Sequence, residues 1–201
     1  SFQKITSPTT YEVFDYAEFL KNNEKYEESI KYYSEVLNII DSKHNLYGDV
    51  LDGRGVSYER TNQWDKAETD LLKSLSASPN DAYVINYLAY SWIEKGINVE
   101  KSLSMLKKAN ELRPNDGYII DSLGWALFKL KKYKEAKKYL ELAIRYMASD
   151  PVINDHYADT LWMNNNSLQA RYYWNYVLKL EKTEEKLKKK IEQKLLFGLK
   201  T

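Results

Sequence analysis

The feature that most limits how this 201-residue chain folds is an internal repeat with a period close to 34 residues. Small side chains recur in one column, separated by 38, 34, 35 and 34 residues. A second small column follows twelve or thirteen residues later, and a column of large side chains follows four residues after that. Such periods are typical of helical or mixed units that stack to bury a continuous core. The three columns are Ala17, Gly55, Ala89, Gly124 and Ala158; Ser29, Ala67, Ser102, Ala136 and Ala170; and Tyr33, Leu71, Leu106, Leu140 and Trp174.

Within each repeat the apolar side chains follow helical periodicity. Ile85, Leu88 and Trp92 are three and four residues apart, so they share one face of a helix. Turn residues separate two such helices in each repeat, and proline marks several junctions between repeats, as at Pro79 and Pro151. Small side chains belong where helices cross closely, because a larger one would push the backbones apart. The sequence therefore predicts an all-α solenoid of five helix pairs.

With these columns in register, the chain resembles the tetratricopeptide repeat (TPR) family over residues 10–184. The stretches Gly124-Trp125-Ala126-Leu127-Phe128 and Tyr133-Lys134-Glu135-Ala136 carry the most specific part of this resemblance. It implies a right-handed superhelix in which the first helix of each pair lines the concave side. The expected parts are a tail or remnant of an upstream repeat over 1–9, repeats over 10–47, 48–81, 82–116, 117–150 and 151–184, and a C-terminal capping helix over 185–201.

A narrower resemblance concerns the first helices of the later repeats. Residues 54–60, 86–92, 121–125 and 153–156 are similar to the C-terminal repeats of TPR proteins from the cell envelope of Gram-negative bacteria. Some members of that group are lipoproteins that bind and activate processing proteases. The resemblance implies a periplasmic or outer-membrane-associated location, with the cytoplasm as the alternative, and further repeats upstream of Ser1. It also suggests an envelope protease or an assembly factor as the partner.

Composition excludes several classes of function. Thirty basic and 29 acidic residues leave a formal charge of +1, which gives no reason to expect a nucleic acid as the main partner. The absence of cysteine excludes disulfides, thiolate metal sites and a cysteine nucleophile. His156 beside Asp155 offers too few ligands to predict a metal site, and the seven glycines form no phosphate-binding loop. We therefore expect no catalytic site, no metal, no cofactor and no transmembrane segment.

The last seventeen residues predict a helix that shields the end of the solenoid from water. Leu187, Ile191 and Leu195 recur every four residues on one side, and lysines cover the other side. Thr183 is suited to the N-cap of this helix, and Gly198 is suited to its end. The lysine face is the alternative functional surface, through which the chain would bind an anionic surface or a nucleic acid.

The candidate binding site lies on the first helices of the repeats. Their side chains outside the packing columns include an aromatic strip, which predicts anchors for apolar groups of a partner. They also include nine carboxylates and three basic side chains, which predicts attraction of basic groups. We therefore expect a monomeric scaffold or adaptor that holds a protein or peptide with apolar and basic side chains in an acidic, aromatic groove, with a self-assembly module as the alternative. The expected contact residues are Asn86, Tyr90, Asp121, Trp125, Phe128, Asp155, Asp159 and Trp162.

Overall fold

The computed structural model describes residues 8–199, and every regular element among those residues is an α-helix. The prediction of an all-α chain with five helix pairs and a C-terminal helix is confirmed. Of the tail expected over residues 1–9, the first seven residues lie outside the described part of the chain. The helices are α1 (Thr10–Asn22), α2 (Tyr26–Leu37), α3 (Tyr47–Arg60), α4 (Trp64–Ala77), α5 (Ala82–Lys95), α6 (Val99–Leu112), α7 (Gly117–Lys129), α8 (Tyr133–Tyr146), α9 (Pro151–Met163), α10 (Ser167–Lys179) and α11 (Glu185–Phe197).

Carboxylate caps mark the N-termini of α7 and α9, the first helices of the fourth and fifth pairs. Asp116 precedes α7 and accepts hydrogen bonds from the backbone nitrogens of Tyr118 and Ile119 at 3.0 and 3.2 Å. Asp150 does the same for α9, and Pro151 occupies the first turn of that helix, where its missing N–H costs nothing. These caps satisfy backbone donors that have no partner within the helix.

The turn between the two helices of each pair contains one residue other than glycine with a left-handed backbone. The φ angles of these five residues lie between 50° and 62°. A residue with a Cβ atom is less stable in this conformation by about 1 kcal/mol, and asparagine tolerates it better than most. Three of the five are asparagines, so the sequence meets the requirement in most turns. The residues are Glu24, Asn62, Asn98, Lys131 and Asn165.

The small columns lie where helices approach closely, as the repeat pattern predicted. Ala17, Ala89 and Ala158 are completely buried. A Cβ atom added to Gly124 would lie 2.6 Å from Cγ of Leu140, well inside van der Waals contact. The crossing of α7 and α8 therefore requires a residue without a side chain at position 124.

The chain forms two compact parts, one ending at Val84 and the other beginning at Ile85. In the N-terminal part, Val13, Tyr33 and Val50 belong to one buried cluster. The guanidinium of Arg54 donates two hydrogen bonds to the carboxylate of Asp70, at 2.7 and 3.0 Å. This bidentate pair joins α3 to α4 beside the apolar core.

The first helices of the N-terminal part bring several acidic side chains close together. The phenol of Tyr33 donates a hydrogen bond to Glu18. Burial, together with the charges of Asp81 and Glu18, raises the pKa of Asp52 to about 6, although Lys21 opposes this shift. Ionisation of Asp52 is therefore less favourable in the folded chain than in the unfolded chain.

In the C-terminal part, helix α11 packs onto the last helix pair through its apolar stripe. Ile191 is fully buried in the same cluster as Trp174, and Leu187 and Leu195 pack against that cluster. Thr183 is not the N-cap: Glu184 occupies that position, and the Thr183 hydroxyl instead donates to the carbonyl of Val177 at 2.6 Å. Gly198 follows the last residue of the helix, with a φ angle of 75° that favours glycine.

Candidate functional site

The C-terminal part contains an open cavity of about 940 Å³. Helices α5, α7 and α9 supply much of its wall, and α11 with the loop before it supplies another part. This volume is large enough for several side chains of a peptide or for a small organic molecule. The residues that line the cavity include Tyr90, Glu94, Trp125, Phe128, Lys129, Lys131, Asp150, Asp155, His156, Asp159, Met163, Lys182, Glu184, Lys186, Leu187, Lys190 and Lys194.

An aromatic stack forms the apolar wall of the cavity. The rings of Trp125 and Phe128 are nearly parallel, with centroids 4.5 Å apart, and the imidazole of His156 stacks on Trp125 at 3.9 Å. The indole Nε1 of Trp125 donates a hydrogen bond to Glu94 at 2.7 Å. Trp125 is buried and its orientation is fixed, whereas Phe128 is only half buried. Phe128 therefore offers apolar surface to the cavity from a rigid support.

His156 is held by a carboxylate from the preceding repeat. Its Nδ1 atom lies 3.0 Å from both carboxylate oxygens of Asp121, and both side chains are buried. Burial disfavours the charged imidazolium, but the carboxylate of Asp121 outweighs this effect and the pKa of His156 is raised. The pair thus carries a proton to higher pH than an exposed histidine does, and it joins α7 to α9 behind the aromatic stack.

Lys194 of α11 joins the C-terminal helix to two carboxylates of α9. Its Nζ donates to the two oxygens of Asp155 at 2.7 and 2.9 Å and to Asp159 at 2.8 Å. Only 14% of the Lys194 side chain is exposed, compared with 10% for Asp155 and 6% for Asp159. The other oxygen of Asp159 accepts a hydrogen bond from Nε1 of Trp174 at 2.9 Å. Both carboxylates are therefore occupied by donors of the chain itself.

Burial of this bridge shifts the pKa values of Asp159 and Lys194. Burial and the neighbouring charge of Asp155 raise the pKa of Asp159 to about 6, and the bonds from Lys194 and Trp174 oppose the rise. The pKa of Lys194 is also raised, because the attraction of the two carboxylates outweighs the cost of burying the ammonium. Lys194 remains charged, and its charge is one of the interactions that oppose the rise in the pKa of Asp159.

Comparison with known families identifies the architecture. The family model described as Tetratricopeptide repeat matches residues 3–183. The chain belongs to this family. It is also 28% identical over 136 residues to the TPR repeat-containing protein PA4667 of Pseudomonas aeruginosa. That match covers 64% of this TPR chain but only 21% of the relative, so the similar region is about a fifth of the relative's length.

Solved structures show the same TPR fold at low sequence identity. A thermophilic TPR protein of Thermus thermophilus, TTC0263, superposes with a TM-score of 0.74 at 14% identity, covering 94% of this chain and all of that one. Pseudomonas aeruginosa PilF gives a TM-score of 0.73 at 18% identity, covering 92% and 83%. MamA from Desulfovibrio magneticus RS-1 gives 0.68 at 15% identity, covering 88% and 97%. These likenesses establish the fold of the chain.

The structure brings five of the eight expected contact residues to one cavity and places three elsewhere. Asp121 is bonded to His156 beneath the surface. Trp162 lies against the backbone of Gly198 and beneath the guanidinium of Arg171, 5.5 Å from the ring centroid. The buried Oδ1 of Asn86 has no hydrogen-bond partner among the described residues. The five residues that line the cavity are Tyr90, Trp125, Phe128, Asp155 and Asp159.

The charge of the TPR cavity differs from the acidic groove that the first helices predicted. Five carboxylates line it, but six lysines do so as well, and four of these lysines belong to the C-terminal helix or the loop before it. The sequence pattern predicted this lysine face only as an alternative surface for an anionic partner and not as part of the groove. The spacing of the sequence could have predicted a buried role for Lys194. This lysine follows Ile191 by three residues, so it lies beside the buried apolar stripe of α11. The lysines are Lys129, Lys131, Lys182, Lys186, Lys190 and Lys194.

Among the described residues 8–199, no group of three or more histidine, aspartate or glutamate side chains is placed to hold a metal ion. In the same range, no helix has the length and apolar character needed to cross a membrane. What the cavity combines is rigid aromatic surface, flexible apolar side chains and lysine ammonium groups.

Proposed function

We propose that this TPR chain is a non-enzymatic, monomeric scaffold that holds a segment of a partner protein in the cavity of its C-terminal part. The observation that carries the proposal is the half-buried ring of Phe128, stacked at 4.5 Å on the buried and hydrogen-bonded Trp125. A rigid aromatic surface inside a cavity binds an apolar side chain with little loss of conformational entropy. Met163, on α9, adds a flexible apolar side chain to the lining of the same cavity.

The partner segment in this proposal has the apolar side chains that the sequence predicted but not the basic ones. Basic side chains were expected to pair with Asp121, Asp155 and Asp159. His156 contacts the first of these, and Lys194 is bonded to the other two. A basic partner would have to displace Lys194 from a buried bridge before it formed an equivalent pair.

We further propose that the partner is a protein of the Gram-negative cell envelope, such as a processing protease or an assembly factor. The resemblance of residues 86–92 and 121–125 to repeats of envelope TPR proteins supports this location. The relatives from Pseudomonas aeruginosa are consistent with a bacterial host of that type. Fractionation of a Gram-negative host that expresses the natural protein tests the location, and recovery in the cytosolic fraction alone would contradict it.

A selection from short random peptides displayed on phage tests the binding site. The full chain is immobilised, bound peptides are selected, and the dissociation constants of synthetic copies are measured by fluorescence anisotropy. The double variant Phe128→Ala and Met163→Ala removes apolar surface from the cavity wall. We expect it to weaken binding by about tenfold or more, since truncation of a central anchor costs more than about 1 kcal/mol.

A matched variant removes similar side chains outside the cavity. Tyr139→Ala and Leu142→Ala both lie on α8, and neither residue lines the cavity. We expect this variant to bind the peptides as the unaltered chain does, with circular dichroism confirming that both variants keep their helices. Equal binding by all three proteins, or failure of the selection to enrich any peptide, would overturn the proposed site.

A further inference from the structure

Four of the six cavity lysines have no ion pair with any described residue. Lys194 is bonded to two carboxylates, and Lys129 lies 4.0 Å from Glu94 and over the ring of Trp125. The other four are exposed, and their ammonium groups are available to a ligand. They are Lys131, Lys182, Lys186 and Lys190.

The carboxylates of the cavity show the opposite pattern. Asp155 and Asp159 are bonded to Lys194, Asp150 caps α9, and Glu94 accepts the indole N–H of Trp125. Of the five lining carboxylates, only Glu184 has a side chain without such a bond among residues 8–199. The groups left to bond a ligand are therefore mainly lysine ammonium groups, although Glu94 and Asp150 keep their negative charges and the lysines of the lining outnumber its carboxylates by one, six to five.

We propose that the cavity selects partner segments in which aspartate or glutamate flanks a bulky apolar side chain. The proposal rests on the proposed function and names the chemistry of the partner at the same site. The apolar side chain contacts Phe128 and Met163, and the acidic side chains pair with Lys186 and Lys190 of α11 and with Lys131. Such exposed pairs contribute modestly to affinity but strongly to the choice between acidic and basic partners.

In this proposal most of the charge specificity comes from the C-terminal helix, and Lys131 is the contribution of the repeats. The lysines at positions 186 and 190 are four residues apart, so they lie one turn apart on the same face of α11. Leu187 of the same helix also lines the cavity, so α11 presents apolar and cationic groups together. An extended acidic segment with an apolar centre matches this arrangement in both respects.

The phage selection described above also tests the charge preference. Each displayed peptide is fused at its C-terminus, so no free terminal carboxylate contributes. We expect selected sequences to be enriched in aspartate and glutamate next to leucine, phenylalanine or tryptophan. Copies with glutamine in place of glutamate should bind about tenfold more weakly at low ionic strength, and the difference should shrink in high salt.

Charge variants of the full chain locate the preference. Lys186→Gln with Lys190→Gln should weaken the acidic peptides about five- to tenfold and leave their glutamine copies unaffected. Lys138→Gln with Lys189→Gln makes the same change of net charge at exposed lysines outside the cavity, and it should have no such effect.

The outcomes separate the two proposals. Enrichment of basic or uncharged peptides, or equal weakening by the two lysine variants, would overturn the acidic preference. If the selected basic or uncharged peptides still lost affinity in the Phe128→Ala and Met163→Ala variant, the proposed binding site would stand and only the acidic preference would be wrong. Acidic peptides that bind the aromatic variant normally would contradict both proposals, because the lysines alone would then account for binding.

Discussion

Replacing Lys194 with methionine removes the only cation of a buried bridge while keeping a side chain of similar length. The unaltered ammonium donates three hydrogen bonds, between 2.7 and 2.9 Å, to Asp155 and Asp159. Without it, Asp159 keeps the bond from Trp174, whereas no other donor to Asp155 is seen in the described part of the chain. Breaking a buried ion pair in this way costs more than the pair contributes, because the remaining charges stay desolvated.

We expect the apparent free energy of unfolding to fall by about 3 kcal/mol at pH 8. This magnitude follows from the low exposure of the three side chains, at 14%, 10% and 6%. A matched variant, Lys190→Met, makes the same substitution one turn earlier at an exposed position. That change should cost less than about 0.5 kcal/mol, as is usual for surface positions.

The loss should depend on pH in a defined direction. The pKa of Asp159 is about 6 in the folded chain, above its unfolded value, and Lys194 is one of the groups that hold it down. Removing Lys194 raises this pKa further, so the folded variant binds protons over a wider range. A carboxyl group with a raised folded pKa loses stability as pH rises through that pKa. The variant should therefore lie much closer to the unaltered protein at pH 5 than at pH 8.

Urea denaturation followed by circular dichroism at both pH values measures these differences. Hydrogen exchange of α11 provides a local check, since this helix loses its polar connection to α9. A loss below about 1 kcal/mol at pH 8, or an equal loss at pH 5 and pH 8, would refute the argument that a buried charge pair holds α11.

Three further predictions concern other parts of the chain. Gly124→Ala places a Cβ atom against Leu140 and should lower stability by about 2 kcal/mol in thermal unfolding, so an unchanged melting temperature would contradict the close crossing. Asp121→Asn should lower the pKa of His156 measured by NMR, with His44 as the internal reference; the stability it removes should be greatest below pH 6.5 and vanish above the folded pKa of His156. Asp52→Asn should stabilise the chain by about 1 kcal/mol at pH 8 and have little effect at pH 4, because the ionised carboxyl is the disfavoured form; destabilisation at pH 8 would count against this.

Much of the fold could be predicted from the sequence because the same pattern of small and large side chains recurs in each repeat. Gly124 and Leu140 occupy columns whose spacing alone predicted a close crossing, and the structure places them in contact range. The N-cap of α11 was missed, because Thr183 has the right chemistry for a cap but its hydroxyl bonds to Val177 instead. The local preference of threonine for an N-cap can be read from the sequence. The hydrogen bond to Val177, which replaces the cap, depends on the folded structure.

The candidate site was less predictable because its contacts join different repeats. His156 and Asp121 are 35 residues apart, and Trp125 and Glu94 are 31 apart, so both pairs are close to one repeat in separation. A search for complementary side chains about one repeat apart would have found them. Lys194 is not part of the repeat, so its role depends on how α11 packs, which the periodicity of the columns does not specify.

The left-handed turn at Lys131 places two demands on one position. Its φ angle of 60° is less suited to lysine than to the asparagines of three equivalent turns. Replacement by glycine or asparagine would stabilise the turn by about 1 kcal/mol or less, but it would also remove a cation from the cavity. Selection for heat resistance alone would discard this lysine, whereas selection for an acidic partner would keep it. If the cavity binds acidic segments as proposed, natural variants with the same partner should keep a basic residue at position 131 despite the less stable turn.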